Sequence, residues 1–254
     1  MNVSLIPVNG IPLVKKGDDI PSLVADAFGK DSFEEGDVLV IASTIVSKAE
    51  GMMVDLNGIS PGKEAEGLSV RTGKDPRLCQ LILDCSDEII AAGCGPVISK
   101  THHGYICASA GIDTSNIAGD TSIVCPLPRD PDDSARKIRR SLQQMCNKRL
   151  AVIISDTQGR PFRVGALGVS IGQSGIDPLY RYKGKKDLYG YELHSSVIAR
   201  ADGIAAAADV VMGQADEGIP VVVVRGAEYT VSDEPATSYM RDPEKDLFYN
   251  PLQQ

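Results

Sequence analysis

Three short segments combine carboxylate, hydroxyl and ammonium side chains in patterns that suit phosphate and cation binding. The first is Ser155-Asp156-Thr157, which follows an apolar, β-branched run that begins at Ala151. A carboxylate beside a hydroxyl at the end of a strand can ligate a hard cation and the phosphates that it carries. The alternative is that Asp156 caps the turn at Gly159-Arg160-Pro161, as Asp often does before Gly and Pro. This segment alone leaves both interpretations open.

A second carboxylate segment lies at Asp113-Thr114, after another predicted strand, and Asn116 follows three residues beyond the Asp. The same residue types form Asx and ST turns, so a structural role is again an alternative. Two Asp-hydroxyl segments that leave separate strands can converge on a single cation. Two such segments suggest a shared metal site more strongly than one does, and the alternative of two turns stays open.

The third segment, Ser43-Thr44, follows the short apolar strand predicted at 38–42, with Lys48 a few residues further on. Hydroxyls and an ammonium group in this arrangement resemble a phosphate contact. Taken alone, the segment favours the alternative, in which Ser43 or Thr44 is the ordinary N-cap of a short helix. The chain has no GxxxxGK[ST] motif, so the segment is not a Walker A loop.

A basic, Gly-interrupted segment at residues 181–186 stands out in an otherwise acidic chain. We predict a lid or an anion-binding loop there, and a solvated surface loop is the alternative. A Gly-bounded polar loop at 213–218 precedes a buried strand.

Alternating and helical hydrophobic patterns predict the elements that position these segments. The chain reads as one α+β domain of 254 residues, with a candidate smaller subdomain around 160–195. The predicted strands are 3–8, 38–42, 150–155 and 219–224, with a hairpin of 96–99 and 105–108, and the predicted helices are 19–29, 61–71, 76–92, 131–145 and 192–212.

Composition excludes several classes of function. The formal net charge of −8 argues against nucleic-acid binding, which needs a basic face. No window is apolar enough for a membrane span, and the N-terminus does not resemble a signal peptide. The six cysteines contain no CxxC pair, which favours reduced, buried thiols over a zinc site. We therefore predict a cytoplasmic protein that acts on small molecules.

Taken together, the segments resemble the coenzyme F420:L-glutamate ligase family, and they match it in order over nearly the whole chain. The segments that carry the resemblance are Gly10-Ile11-Pro12-Leu13-Val14, Gly17-Asp18-Asp19, Ser43-Thr44-Ile45-Val46-Ser47-Lys48-Ala49-Glu50-Gly51, Asn116 within 110–116, Ile154-Ser155-Asp156-Thr157-Gln158-Gly159-Arg160, Gly184-Lys185-Lys186-Asp187-Leu188-Tyr189-Gly190, Met212-Gly213-Gln214 and residues 218–226.

The resemblance implies GTP-dependent addition of L-glutamate to F420-0, which gives F420-1 and then the γ-linked F420-2, by way of an acyl phosphate. It also implies two divalent cations (Mg²⁺ or Mn²⁺), one K⁺, and an intertwined homodimer with mixed sheets, packed helices and a family-specific fold. A metal-dependent phosphohydrolase and a non-catalytic nucleotide-binding protein are the alternatives from the residues themselves.

The resemblance further implies roles for individual residues. Many relatives carry Glu where this chain has Gln214, which ligates without adding charge and so leaves the second metal in question. The basic segment 181–186 would receive the anionic tail of F420-0. The implied nucleotide ligands are Ile11, Pro12, Leu13, Val14, Ser43, Thr44, Lys48, Asn116, Met212, Gly213, Gln214, Ala215, Asp216, Glu217, Gly218 and Ile219, the metal ligands are Asp113, Asp156, Thr157 and Gln214, and the candidate catalytic residues are Lys48 and Arg160.

Overall fold

The computed structural model describes residues 2–246 and 248–249 and is a mixed α+β structure, which confirms the predicted class. In chain order its strands and helices are β1 (Ser4–Pro7), α1 (Ile20–Phe28), β2 (Val38–Ala42), α2 (Ser43–Glu50), β3 (Val54–Asp55), α3 (Lys63–Thr72), α4 (Pro76–Asp84), β4 (Ser86–Ala92), β5 (Val97–Thr101), β6 (Ile106–Ala108), β7 (Ile123–Val124), α5 (Pro131–Cys146), β8 (Ala151–Arg160), β9 (Arg163–Ser174), β10 (Leu179–Arg181), β11 (Val197–Ala199), α6 (Arg200–Met212) and β12 (Val221–Arg225).

A five-stranded sheet in the order β1-β12-β2-β8-β9 carries the candidate residues. Strands β2 and β8 run parallel, and the other neighbours are antiparallel. Alternate residues of each strand face opposite sides, as the strand period of two requires. Leu39 and Ile154 pack beneath α1 and α5, whereas Val40 and Ile153 pack beneath α6. Both faces of the central strands are therefore buried, which explains their continuous apolar runs.

A separate hydrophobic cluster is drawn from the part of the chain that runs from Leu56 to Val124. In it, α3 and α4 pack against the sheet β4-β5-β6. The predicted hairpin is confirmed, because β5 pairs with β6 through a turn at residues 102–105. The subdomain around 160–195 stays a prediction. Among the residues that the structure describes, no helix is long and apolar enough to cross a membrane.

Two predicted helices are wrong in part. The helix predicted at 76–92 ends at Asp84, and Ser86–Ala92 instead forms β4 on the edge of β5. The helix predicted at 192–212 begins only at Arg200, because Val197–Ala199 pairs with β10. In both cases residues with helical spacing are held in a strand by antiparallel pairing with a neighbouring strand, and this pairing overrides local propensity.

The strand predicted to end at Ser155 continues to Arg160 and forms a long hairpin with β9. A register shift between Ile154 and Ser155 marks an irregularity where the polar residues begin. Asp156 therefore lies within a strand, so the interpretation of this residue as a turn cap is wrong. Its side chain is held by the rigid sheet.

Candidate functional site

The carboxylates of Asp113 and Asp156 meet at the start of α2. Because β2 and β8 are parallel neighbours, Ala42 lies opposite Ser155, and the first residues of α2 reach the polar end of β8. Ser43 Oγ lies 3.5 Å from Asp156 Oδ1. Thr44 Oγ1 donates to Asp113 Oδ2 at 2.5 Å. The hydroxyls of two successive residues thus contact both carboxylates.

The structure shows that Ser43 is not the N-cap of α2. Ala42 occupies the N-cap position of α2, and no side chain caps the first turn. The Ser43 hydroxyl is instead directed to Asp156, and the Thr44 hydroxyl to Asp113. The free backbone N–H groups of a helix start and the positive end of its dipole favour a nearby anion.

Asp113 is fixed by the backbone on its other side. Its N–H donates to Cys125 O, and its carbonyl accepts from Cys125 N–H, both at 2.9 Å. This single bridge anchors the loop that follows β6 against the segment that follows β7. The carboxylate is therefore presented from a defined backbone position.

Burial gives the carboxylate pair unusual electrostatics. Burial, and secondarily the charge of Asp113, raises the pKa of Asp156 from 3.8 to about 7. Burial also raises the pKa of Asp113, although its hydrogen bond from Thr44 and the charge of Lys48 act in the opposite direction. Burial lowers the pKa of Lys48 itself. The partly desolvated ammonium group of Lys48 acts on Asp113, and a divalent cation beside Asp113 and Asp156 would supply further positive charge.

Lys48 and Asn116 close one side of the site. Lys48 Nζ donates to Asn116 O at 2.5 Å. Asn116 has a left-handed backbone with φ of 56° and donates through Nδ2 to Ala215 O at 3.0 Å and Gln214 O at 3.4 Å. Asn116 thereby joins the loop around Asp113 to the loop that follows α6.

These groups line one cleft with a volume of about 380 Å³, which lies within the range of small-molecule sites. The cleft brings together every residue that the family resemblance implied as a nucleotide or metal ligand. These are residues 11–14 and 212–219 together with Ser43, Thr44, Lys48, Asp113, Asn116, Asp156 and Thr157.

Within the described ranges, no group of three or more His, Cys, Asp or Glu side chains converges on one point. A cation held by Asp113 and Asp156 would therefore take its remaining ligands from elsewhere. Mg²⁺ commonly binds in this way, through one or two carboxylates, water and substrate phosphates. The donor set fits a cation that arrives with a phosphate ligand.

Two predicted contributors do not line the cleft. Arg160 lies at the tip of the β8–β9 hairpin, where its Nη1 donates to Gly165 O at 3.0 Å. In the basic segment, Lys185 Nζ contacts Tyr180 Oη and lies 4.5 Å from the centroid of that ring. This segment lies near Glu228, beyond the far end of β12 from the cleft. Within one chain, then, the segment 181–186 does not reach the carboxylate pair.

Asp209 is a cleft residue that sequence reasoning missed. It lies in the last turn of α6, and its Oδ1 accepts from Gln214 Nε2 at 2.8 Å. The same nitrogen donates to Thr157 Oγ1 at 3.0 Å. No sequence pattern distinguishes Asp209 from a solvated helical Asp, because its proximity to Thr157 arises from the packing of α6 on the sheet.

Comparison with known proteins gives consistent matches. A family model described as F420-0:Gamma-glutamyl ligase matches residues 10–226. The coenzyme F420:L-glutamate ligase of Methanothermobacter thermautotrophicus is 51% identical over 252 residues, which cover 98% of this chain and 99% of that protein. Proteins of the same name from Methanocaldococcus jannaschii and Methanopyrus kandleri are 45% and 44% identical; the matches cover 94% and 95% of this chain, and 94% and 96% of the relatives.

Proposed function

The chain belongs to the F420-0:gamma-glutamyl ligase family, and we propose that it joins L-glutamate to coenzyme F420-0 with GTP as the phosphoryl donor. The products are F420-1, then the γ-linked F420-2, with GDP and phosphate. The observation that supports this proposal most directly is that the buried carboxylate of Asp156 and the half-buried carboxylate of Asp113 lie with Lys48 in one cleft. Family membership supports the ligase chemistry, and the cleft supports the use of a nucleotide and metal.

The chemistry requires activation of a carboxylate, because a carboxylate is a poor electrophile. The F420-0 carboxylate oxygen attacks the γ-phosphorus of GTP, the bond to the β,γ-bridging oxygen breaks, and an acyl phosphate and GDP form. The unprotonated glutamate amine then attacks the acyl carbon, and phosphate leaves with the electron pair of the broken C–O bond. The nitrogen gives up one proton, which ends on the departing phosphate, and the amide is formed. Phosphoryl transfer of this kind depends mainly on positioning and charge neutralisation.

The residues of the cleft divide this work. Asp113 and Asp156 would hold one divalent cation, and Thr157 with Gln214 would contribute to a second. When bound, such cations neutralise the phosphate oxygens and polarise the transferred group. Lys48 lies where it can offset further phosphate charge. Residues 11–14 and the loop 212–219 form the walls that would enclose the nucleotide.

Potassium and a homodimer belong to the same proposal. We assign the monovalent cation no residue. The second copy is expected to cover apolar side chains that this chain leaves exposed. Among them are Phe162, between β8 and β9, which is 89% exposed, and Leu188, between β10 and β11, which is 100% exposed. Light scattering in solution tests the dimer, and a parent protein with the mass of one chain would refute it.

Mass spectrometry of the products tests the ligase proposal. The protein is incubated with F420-0, L-glutamate, GTP and Mn²⁺, and the expected product is F420-0 heavier by one or two glutamyl units, formed in step with GDP. Release of phosphate without any need for glutamate would indicate a phosphohydrolase instead. Binding of GTP without turnover would indicate a non-catalytic nucleotide-binding protein.

A further inference from the structure

Two oxygen atoms from different elements converge on one point in the cleft. Thr157 Oγ1 comes from β8 and Asp209 Oδ1 from α6, and both accept a hydrogen bond from Gln214 Nε2, at 3.0 Å and 2.8 Å. The amide nitrogen, which carries partial positive charge, lies between a hydroxyl oxygen and a carboxylate oxygen. Hydroxyl, carboxylate and amide oxygens are the ligand types that Mg²⁺ and Mn²⁺ take in proteins.

The close packing of α6 on the hairpin creates this convergence. Gly168 on β9 pairs with Thr157 in the strand register. A Cβ atom at Gly168 would lie 2.9 Å from Ala205 O and 3.1 Å from Asp209 Cβ. The absence of a side chain therefore lets the last turns of α6 approach the strand at the level of Thr157. Asp209 reaches the cleft because residue 168 is Gly.

The charge of Asp209 is poorly compensated where it lies. Negative charge near a helix C-terminus is unfavourable, because the dipole places partial negative charge there. The last turn of α6 contains no basic residue. Within the part of the chain that the structure describes, the hydrogen bond recorded for this carboxylate comes from the neutral amide of Gln214. A cation at this position would relieve both the carboxylate and the helix end.

Asp156 is poorly placed to supply that charge. Successive side chains of a strand point to opposite faces. Asp156 faces Ser43 on the side of α2, whereas Thr157 faces Gln214 on the side of α6. A cation at Thr157 therefore needs a carboxylate from the α6 side, and Asp209 is the one that reaches it.

We propose that Asp209 is the carboxylate ligand of the second divalent cation, beside Thr157 and the amide oxygen of Gln214. This assignment rests on the proposed metal-dependent function. A half-turn of the Gln214 amide exchanges its nitrogen for its oxygen, so this residue can give up two hydrogen bonds and become a ligand. Asp209 would thereby provide the negative charge that Gln214 lacks.

Mn²⁺ binding to the full chain tests the assignment without relying on turnover. Bound Mn²⁺ is titrated by electron paramagnetic resonance in the presence of a GTP analogue whose γ-phosphate cannot be transferred. The parent is expected to bind two ions. Asp209→Asn is expected to lower the affinity for the second ion by at least about tenfold, since loss of even an outer-shell partner costs about 10- to 100-fold in metal affinity. The first ion should bind as in the parent.

Two further variants separate a ligand from a general charge effect. Glu66→Gln removes one negative charge from an exposed position of α3, outside the cleft, and should leave both affinities unchanged. The double variant Asp209→Asn with Gln214→Glu returns a carboxylate to the same point. It should restore the affinity for the second ion to within about threefold of that of the parent. Circular dichroism confirms that each variant is folded.

The outcomes distinguish a failure of the Asp209 assignment from a failure of the proposed metal-dependent function. If Asp209→Asn binds two ions with parental affinity, the assignment is wrong and the ligase proposal stands. If Asp209→Asn and Glu66→Gln weaken binding equally, the effect is general electrostatics and the assignment is again wrong. If the parent binds no Mn²⁺ with the analogue, the metal-dependent function itself fails.

Discussion

Replacing Asp156 by Asn is expected to stabilise the metal-free protein although it removes a residue of the proposed active site. Asp156 is only 7% exposed, and burial together with the charge of Asp113 raises its pKa from 3.8 to about 7. The buried carboxylate therefore takes up a proton on folding at any pH between these values. Asn has the shape of the protonated form and carries no charge.

The sign and size of the effect follow from linkage. The pKa of Asp156 is higher in the folded than in the unfolded protein, so its contribution to stability is fully present below about pH 4 and is lost as the pH rises to about 7. Each pH unit in this window costs about 1.4 kcal/mol. Between pH 5 and pH 7, the free energy of unfolding of Asp156→Asn should rise relative to the parent by about 2 kcal/mol, because the carboxyl is already half ionised in the folded parent at pH 7.

Urea denaturation in EDTA at pH 5, 6, 7 and 8 measures this difference directly. Groups that titrate in both proteins cancel, so the comparison isolates the substituted residue. Asp37→Asn is a matched control, because Asp37 is 1% exposed but forms an ion pair with Arg225 at 2.8 Å. Breaking a buried pair of this kind costs about 3 kcal/mol. The same chemical change should therefore destabilise at position 37 and stabilise at position 156.

Addition of Mn²⁺ should reverse the order of the two proteins. An ion held by the proposed site would stabilise the folded parent by mass action, whereas Asp156→Asn would lack one of the proposed ligands. The reasoning is refuted if Asp156→Asn in EDTA is no more stable than the parent at pH 8, or if the difference between them is the same at pH 5 and pH 8.

Three further substitutions test other parts of the site. Gly168→Ala should lower the free energy of unfolding by about 1–3 kcal/mol in urea denaturation, because the added Cβ would lie 2.9 Å from Ala205 O; an unchanged value would mean that α6 does not pack as described. Lys48→Gln should weaken GTP binding about 10- to 100-fold in calorimetry, since hydrogen bonds to charged groups contribute about 1.5–3 kcal/mol; parental affinity would exclude a contact with phosphate. Asn116→Gly keeps the left-handed backbone but loses the two hydrogen bonds to the loop after α6, so KM for GTP should rise several-fold with little change in thermal stability.

The sequence predicted those parts of the site in which polar residues directly follow an apolar strand in the chain. Short apolar runs followed by polar residues identified β2 and β8, and the positions of Ser43 and Asp156 follow from them. Parallel pairing of these strands then brings α2 to the carboxylate end of β8. Local patterns located the residues, and their grouping around one ligand came from the family resemblance.

Other features could not be predicted because they depend on strand pairing and on the packing of one element against another. The apolar spacing after Pro76 fits a helix, yet Ser86–Ala92 pairs with β5 and becomes a strand. The approach of Asp209 to Thr157 depends on Gly168 accepting α6 at close range. Neither pairing nor close packing leaves a trace in hydrophobic periodicity, which reports only which face of an element is buried.

The alternation of β8 would let adjacent residues serve the two proposed cation positions. Asp156 and Thr157 point to opposite faces of one strand, towards α2 and α6. A triphosphate that crosses the strand at this level would meet the Asp113–Asp156 pair on one face and Thr157 with Asp209 on the other. The positively polarised start of α2 lies on the first face and the negative end of α6 on the second. We therefore expect the second face to depend more strongly on a bound cation. As metal is removed, nucleotide binding should weaken through loss of the second ion before the stability of the fold changes through loss of the first.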